Sequence, residues 1–178
     1  KFYITTAIPY VNAPPHIGNT LEFVQTDVIA RRERLREKEV FFLTGSDDNG
    51  LKNFQTAKSL NKDPQKFVDE NAAIFQKLLQ TLNISNDDFI RTTDRKRHWP
   101  TAQKMWRQLV ASDDIYKKKY RGFYCVGHES FHPEGDLKND ECPGYPGKKL
   151  EFLEEDNYFF RLSKYTADLK RIIDSGEF

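Results

Sequence analysis

The residues with the clearest capacity for chemistry stand near the start of the chain, in Pro14-Pro15-His16-Ile17-Gly18-Asn19. A short apolar, β-branched run, Phe2 to Thr6, precedes them and a helical pattern follows. They therefore occupy a loop between strand and helix. At such a place the first helix amides point at the loop and attract anionic phosphate, and Gly18 lets a nucleotide approach the backbone. His16 can then donate to phosphate oxygens during a transfer. A His-x-Gly loop also arises by chance, so its weight depends on what surrounds it.

The surrounding pattern alternates strand and helix. After the loop, a helix is predicted from about Thr20 to Lys38, introduced by Gly18 and Asn19. Val40-Phe41-Phe42-Leu43-Thr44 is a continuous apolar run of strand length ending at Gly45, as a buried parallel strand should be. Asp63 before Pro64 has the cap-then-proline order of a helix start. Phe67, Phe75, Leu78, Leu79 and Leu82 then keep one apolar stripe at helical spacing. Asp88 to Thr92 reads as a third strand, and a further helix follows Pro100 with Met105, Trp106, Leu109 and Val110. The first 110 or so residues thus read as α/β with a Rossmann-like parallel sheet.

From Ile115 the character changes. A basic and aromatic run, Tyr116 to Tyr124, leads into a glycine- and proline-punctuated stretch through Lys149, which reads as a small β-rich insertion. Leu150 to Leu153 and Tyr158 to Leu162 return as strands, and Ser163 is placed to cap a closing helix reaching about Ser175. The division predicted is 1–113 for half of a nucleotide-binding domain and 114–178 for the start of a connective domain.

Longer strings carry a resemblance. The loop resembles the His-Ile-Gly-His signature of class I aminoacyl-tRNA synthetases. Ala7-Ile8-Pro9-Tyr10-Val11-Asn12-Ala13-Pro14-Pro15-His16-Ile17-Gly18 is similar to the methionyl-tRNA synthetases in particular, as are Leu43 to Gly50 and Asp87 to Thr93. The resemblance implies activation of methionine by ATP, taken with Mg2+, and transfer to tRNA(Met). His16 and Asn19 would stabilise charge on the α-phosphate as the methionine carboxylate attacks, by positioning and electrostatics without a covalent enzyme intermediate. ATP would lie against His16, Gly18, Asn19 and Glu22, the last facing the nucleotide or simply lying solvated in the first turns. Ala7, Ile8 and Tyr10 would line the methionine site, and Asp47 would accept from the α-ammonium. Asn19 and Asn49 depart from the commonest pattern, which has His at both places; an amide donates hydrogen bonds but carries no proton.

The insertion carries a metal question. Cys125-Val126-Gly127-His128 and Cys142-Pro143-Gly144-Tyr145 fall where the family often has two Cys-x-x-Cys knuckles, with His and Tyr replacing two thiols. Three N/S ligands remain where a closed zinc site wants four. His132 could complete the set, but zinc is not expected, and packing of Phe123, Tyr124 and Phe131 is the reading preferred. The basic run Lys117 to Arg121 could touch the acceptor stem of tRNA or be a solvated strand face; the second is preferred, since 28 basic residues against 27 acidic give no global field.

Two cysteines exclude a disulfide framework. No apolar run approaches the roughly 20 residues of a membrane span, and a cytoplasmic protein, or an organellar one, is expected. The chain opens on Lys1 inside a strand-like run, so a truncated chain is expected. The resemblance implies a second nucleotide-binding half with a Lys-Met-Ser-Lys-Ser-type loop and an anticodon-binding domain, neither of which is in this sequence. The competing readings are another class I synthetase or an adenylyltransferase, or a nucleotide- or RNA-binding module without turnover.

Overall fold

In the computed structural model, residues 1–125, 130–132, 141–142 and 145–177 are described, and the elements below are theirs. They fall into two compact units, Lys1–Ala102 and Gln103–Phe178.

The first unit is built on a parallel sheet in the order β1-β2-β3, formed by Phe2–Thr5, Val40–Ser46 and Asp88–Arg91. Helix α1, Ile17–Leu35, connects β1 to β2. It begins three residues before the predicted Thr20, because His16 supplies the N-cap and places Gly18 and Asn19 in the first turn. β2 runs two residues past Thr44. Gly45 permits this: a Cβ there would lie 2.1 Å from the Ile90 carbonyl oxygen, so only a glycine lets the two strands pair.

Helix α2, Leu51–Ser59, has no counterpart in the sequence reading. It is short, its N-cap Gly50 offers no side chain, and its buried residues are a polar Asn53 and a small Ala57, so no apolar stripe announces it. Helix α3, Pro64–Thr81, starts as its sequence dictates, with Asp63 accepting from the Lys66 amide at 2.9 Å and Pro64 in the first turn. The core lies between these elements: Val11, Phe23, Ala57, Phe67, Val68, Ala72, Phe75 and Leu79. Phe23 of α1 meets Phe75 of α3 edge to face at 6.4 Å.

Helix α4, His98–Ala111, begins two residues before Pro100, which its first turn tolerates. In the second unit, β4 (Ile115–Cys125) pairs antiparallel with β5 (Ser130–His132) and with β8 (Glu151–Phe160). β6 (Glu141–Cys142) pairs with β7 (Tyr145–Lys149). The two apolar segments predicted around residues 150 and 160 are one continuous strand, whose acidic middle, Glu154 to Asp156, lies across from the basic run of β4. Arg121 and Lys119 reach Glu154, and Lys117 reaches Asp156. The alternate face is aromatic, with Tyr116 stacked on Phe159 at 5.6 Å and Tyr120 against Phe131 at 4.5 Å. Ser163 does not cap the last helix. It lies in a 3-10 turn, Leu162–Tyr165, and α5 runs Thr166–Ser175 to a left-handed Gly176.

The metal question rests on Cys125, His128, Cys142, Tyr145 and His132. Cys125 is buried on β4 and His132 ends β5, but His128 lies outside the described residues, as do the side chains of Cys142 and Tyr145.

Candidate functional site

The loop between β1 and α1 is held at several points, each by a group from another part of the first unit. Thr6 Oγ1 donates to the Ala7 carbonyl at 2.7 Å and lies 2.7 Å from Thr44 Oγ1 on β2. The Ala7 amide donates to Glu22 Oε1 at 2.5 Å. Glu22 thereby ties the chain leaving β1 to α1. The Asp47 amide donates to the Pro9 carbonyl at 2.9 Å, and Tyr10 pairs with Asp47 as a parallel bridge, so the loop runs on beside β2 after β1 has ended. Val11 is buried in the core, and its carbonyl accepts from Asn71 Nδ2 of α3 at 2.7 Å. A buried backbone carbonyl needs such a partner.

His16 and Asn19 cap α1 reciprocally. The Gly18 amide donates to His16 Nδ1 at 3.1 Å, and the His16 amide donates to Asn19 Oδ1 at 3.1 Å. With Nδ1 accepting, the neutral imidazole carries its proton on Nε2. Gly18 makes this possible, because a Cβ there would come 3.0 Å from both Cε1 and Nδ1 of His16. The Asn19 amide group, where the commonest family pattern has an imidazole, supplies the acceptor for the His16 amide.

A cavity of about 280 Å³ opens on this loop, lined among others by Tyr10, Asn12, Pro14, His16, Asn19 and Phe75. Its volume lies just below the usual range of small-molecule pockets. Tyr10, His16 and Asn19 of the candidate residues share it. Asp47 does not line it and is linked to it only through backbone pairing with Tyr10. Ala7 and Ile8 are exposed where the loop leaves β1, and Gly18 and Glu22 lie in the first turns of α1. Gly50 fits the Tyr10 ring closely, since a Cβ there would fall 2.8 Å from Tyr10 Cε1.

The two adjacent carboxylates differ. Asp48 is buried and fully engaged: it accepts from Ser46 Oγ at 2.7 Å, Arg91 Nε at 2.7 Å and Thr93 Oγ1 at 2.5 Å. Arg91 extends this network to Asp69 at 2.6 Å. Asp47 is half-buried and, among the described residues, its side chain accepts one hydrogen bond, from Thr92 Oγ1 at 3.1 Å. The turn bearing both is held by Asn53 Nδ2, which donates to the Asp47 and Asp48 carbonyls at 2.9 Å each. Asn53, Asn71 and Thr92 carry no signal of these roles in the sequence: Asn53 lies on a helix without an apolar stripe, and Asn71 and Thr92 are polar residues on or beside elements marked by their apolar residues.

A family model described as tRNA synthetases class I (M) matches residues 2–151. The chain belongs to this family. Among curated relatives of the class I (M) synthetases, a methionine–tRNA ligase of Rhizobium meliloti is 47% identical over 171 residues, covering 94% of this chain and 33% of that protein. One from Thermotoga maritima is 46% identical over 173 residues, covering 95% and 27%. The chain thus spans about a third of the length of the curated relatives it matches. A solved Mycobacterium tuberculosis methionyl-tRNA synthetase in complex with methionyl-adenylate superposes with a TM-score of 0.90 at 39% identity, over 99% of this chain and 35% of that one. The ternary complex of Agrobacterium radiobacter K84 agnB2 LeuRS-tRNA-LeuAMS, at 19% identity and a TM-score of 0.79 over 98% of this chain and 23% of that one, shares the fold. Among the described residues no helix is long and apolar enough to cross a membrane.

Proposed function

We propose that this chain carries the ATP- and methionine-binding half of the catalytic domain of a methionine–tRNA ligase. Residues 1–113 would form half of the nucleotide-binding domain and 114–178 the start of the connective domain, in a cytoplasmic or organellar enzyme acting on tRNA(Met). The observation that carries the reading is the capped start of α1, with a histidine that offers Nε2–H beside the Tyr10 cavity and a half-buried carboxylate, Asp47, just past the end of β2 and paired through its backbone with Tyr10. The named relatives and the adenylate-bound structural neighbour support the same assignment.

In this reading a methionine carboxylate oxygen attacks the α-phosphorus of ATP, the bond to pyrophosphate breaks, and methionyl-adenylate forms before transfer to tRNA. Mg2+ accompanies ATP as part of the substrate. His16 Nε2–H, with the positive end of the α1 dipole behind it, would meet the charge that grows on the phosphate oxygens. That donor is already fixed, so little reorganisation accompanies the reaction. Asp47 would accept from the α-ammonium of methionine, with Ala7, Ile8 and Tyr10 against the rest of the substrate.

The test is methionine-dependent exchange of pyrophosphate into ATP, run on a polypeptide of the relatives' full length carrying these residues. Exchange with methionine and with no other amino acid is expected. Exchange driven by another amino acid would assign a different synthetase, and none at all, with ATP still bound, would assign a binding module.

A further inference from the structure

The hydroxyl of Thr92 makes three hydrogen bonds. Its oxygen receives the Asp48 amide at 2.8 Å and the Asn49 amide at 3.1 Å, and it lies 3.1 Å from Asp47 Oδ1. A hydroxyl has two lone pairs and one proton. Both lone pairs are taken by N–H groups that can only donate, so the proton points at Asp47. The threonine itself is held firmly. Its amide donates to the Ser46 carbonyl at 3.2 Å, and its carbonyl accepts from Trp99 Nε1 at 2.9 Å and Asn49 Nδ2 at 3.1 Å. Its β-branched side chain adds its own stiffness at χ1. Asp47 Oδ2, by contrast, has no hydrogen bond among the described residues.

We propose that Thr92 is a positioning residue for substrate, whose hydroxyl clamps one oxygen of the Asp47 carboxylate so that the other is presented to the α-ammonium of the amino acid. The inference rests on the reading of Asp47 given above. A half-buried carboxylate without that partner would rotate about χ2, and each rotation would weaken a charge-assisted bond whose strength depends on direction. Donation from a fixed hydroxyl removes that freedom before substrate arrives, and preorganisation of this kind appears as affinity.

The test uses full-length enzyme and two ligands: methionine, and 4-(methylthio)butanoate, which lacks the α-ammonium and is read as a competitive inhibitor. Thr92→Val is expected to raise the methionine KM about tenfold or more. It should leave kcat, the ATP KM and the inhibition by 4-(methylthio)butanoate within about twofold. Thr92→Ser keeps the hydroxyl and should stay close to wild type. In an Asp47→Ala background, Thr92→Val should have no further effect on methionine. If Asp47→Asn leaves methionine KM unchanged, the reading of Asp47 itself fails. If Asp47→Asn raises it while Thr92→Val does not, the clamp alone is overturned. It is overturned equally if Thr92→Ser behaves like Thr92→Val, or if Thr92→Val weakens both ligands alike.

Discussion

At the scale of single residues, the proposed function divides the loop between groups that would meet substrate and groups that hold the loop. His16 would do both, since Nδ1 closes the helix cap and leaves Nε2 outside it. His16→Ala is expected to lower the single-turnover rate of adenylate formation by about 10²-fold while methionine affinity stays nearly constant, because the charge it meets exists in the transition state. An unchanged single-turnover rate would remove it from the chemistry. Asp47→Asn should behave in the opposite way and cost about 1.5–3 kcal/mol of methionine binding, read by calorimetric titration. Wild-type affinity would show that the ammonium is held elsewhere. His16, Asn19 and Asp47 stand out in the sequence as candidates because they lie in contiguous strings. The grip of Glu22 on the Ala7 amide and of Asn71 on the Val11 carbonyl was not, because each joins residues brought together only by the fold.

Elements were legible where period and caps agreed. α3 has an apolar stripe, a capping aspartate and a first-turn proline, and it forms where expected. α2 has none of these, and the last helix was misplaced because Ser163 looks like a cap while a 3-10 turn intervenes. What fixes that turn is Asp114, 1% exposed, which accepts from Lys164 Nζ at 2.7 Å, from Tyr165 Oη at 2.6 Å and from Ser112 Oγ. Hydrogen bonds from Lys164, Ser112 and Tyr165 hold its carboxyl down to about 2 from an ordinary 3.8. The folded state therefore binds this proton less readily than the unfolded chain. The stabilisation is complete above about pH 4 and is lost as pH falls toward 2. Urea unfolding between pH 2 and 6 should show Asp114→Asn less stable than wild type at pH 6, with the gap closing as pH falls. Parallel curves down to pH 2 would show that the clasp contributes no pH dependence.

At the scale of the whole molecule, the parallel sheet is covered unevenly. Parallel sheets are stable when both faces are covered. Phe42 is buried on one face, but Tyr3 and Phe41, paired in register and stacked at 6.0 Å on the other, remain 62% and 47% exposed. β1 also ends the sheet order, so one edge carries unpaired backbone groups among the described residues. An exposed aromatic pair next to an open edge is the combination that drives strands of separate molecules together. Relatives about three times as long have further chain with which to cover such a face. The 178-residue chain alone is therefore expected to self-associate with rising concentration in sedimentation velocity, while a polypeptide of the relatives' length stays at a fixed state. Replacing both aromatics with lysine, Tyr3→Lys with Phe41→Lys, should shift the isolated chain toward monomer without moving its far-ultraviolet spectrum, since neither side chain belongs to the Val11–Phe75 core. In the longer polypeptide the same pair should lower the melting temperature, because the lysines would then be placed against apolar partners. If the isolated chain is monomeric throughout, or if the lysine pair destabilises only the isolated chain, this face is not one that further chain covers.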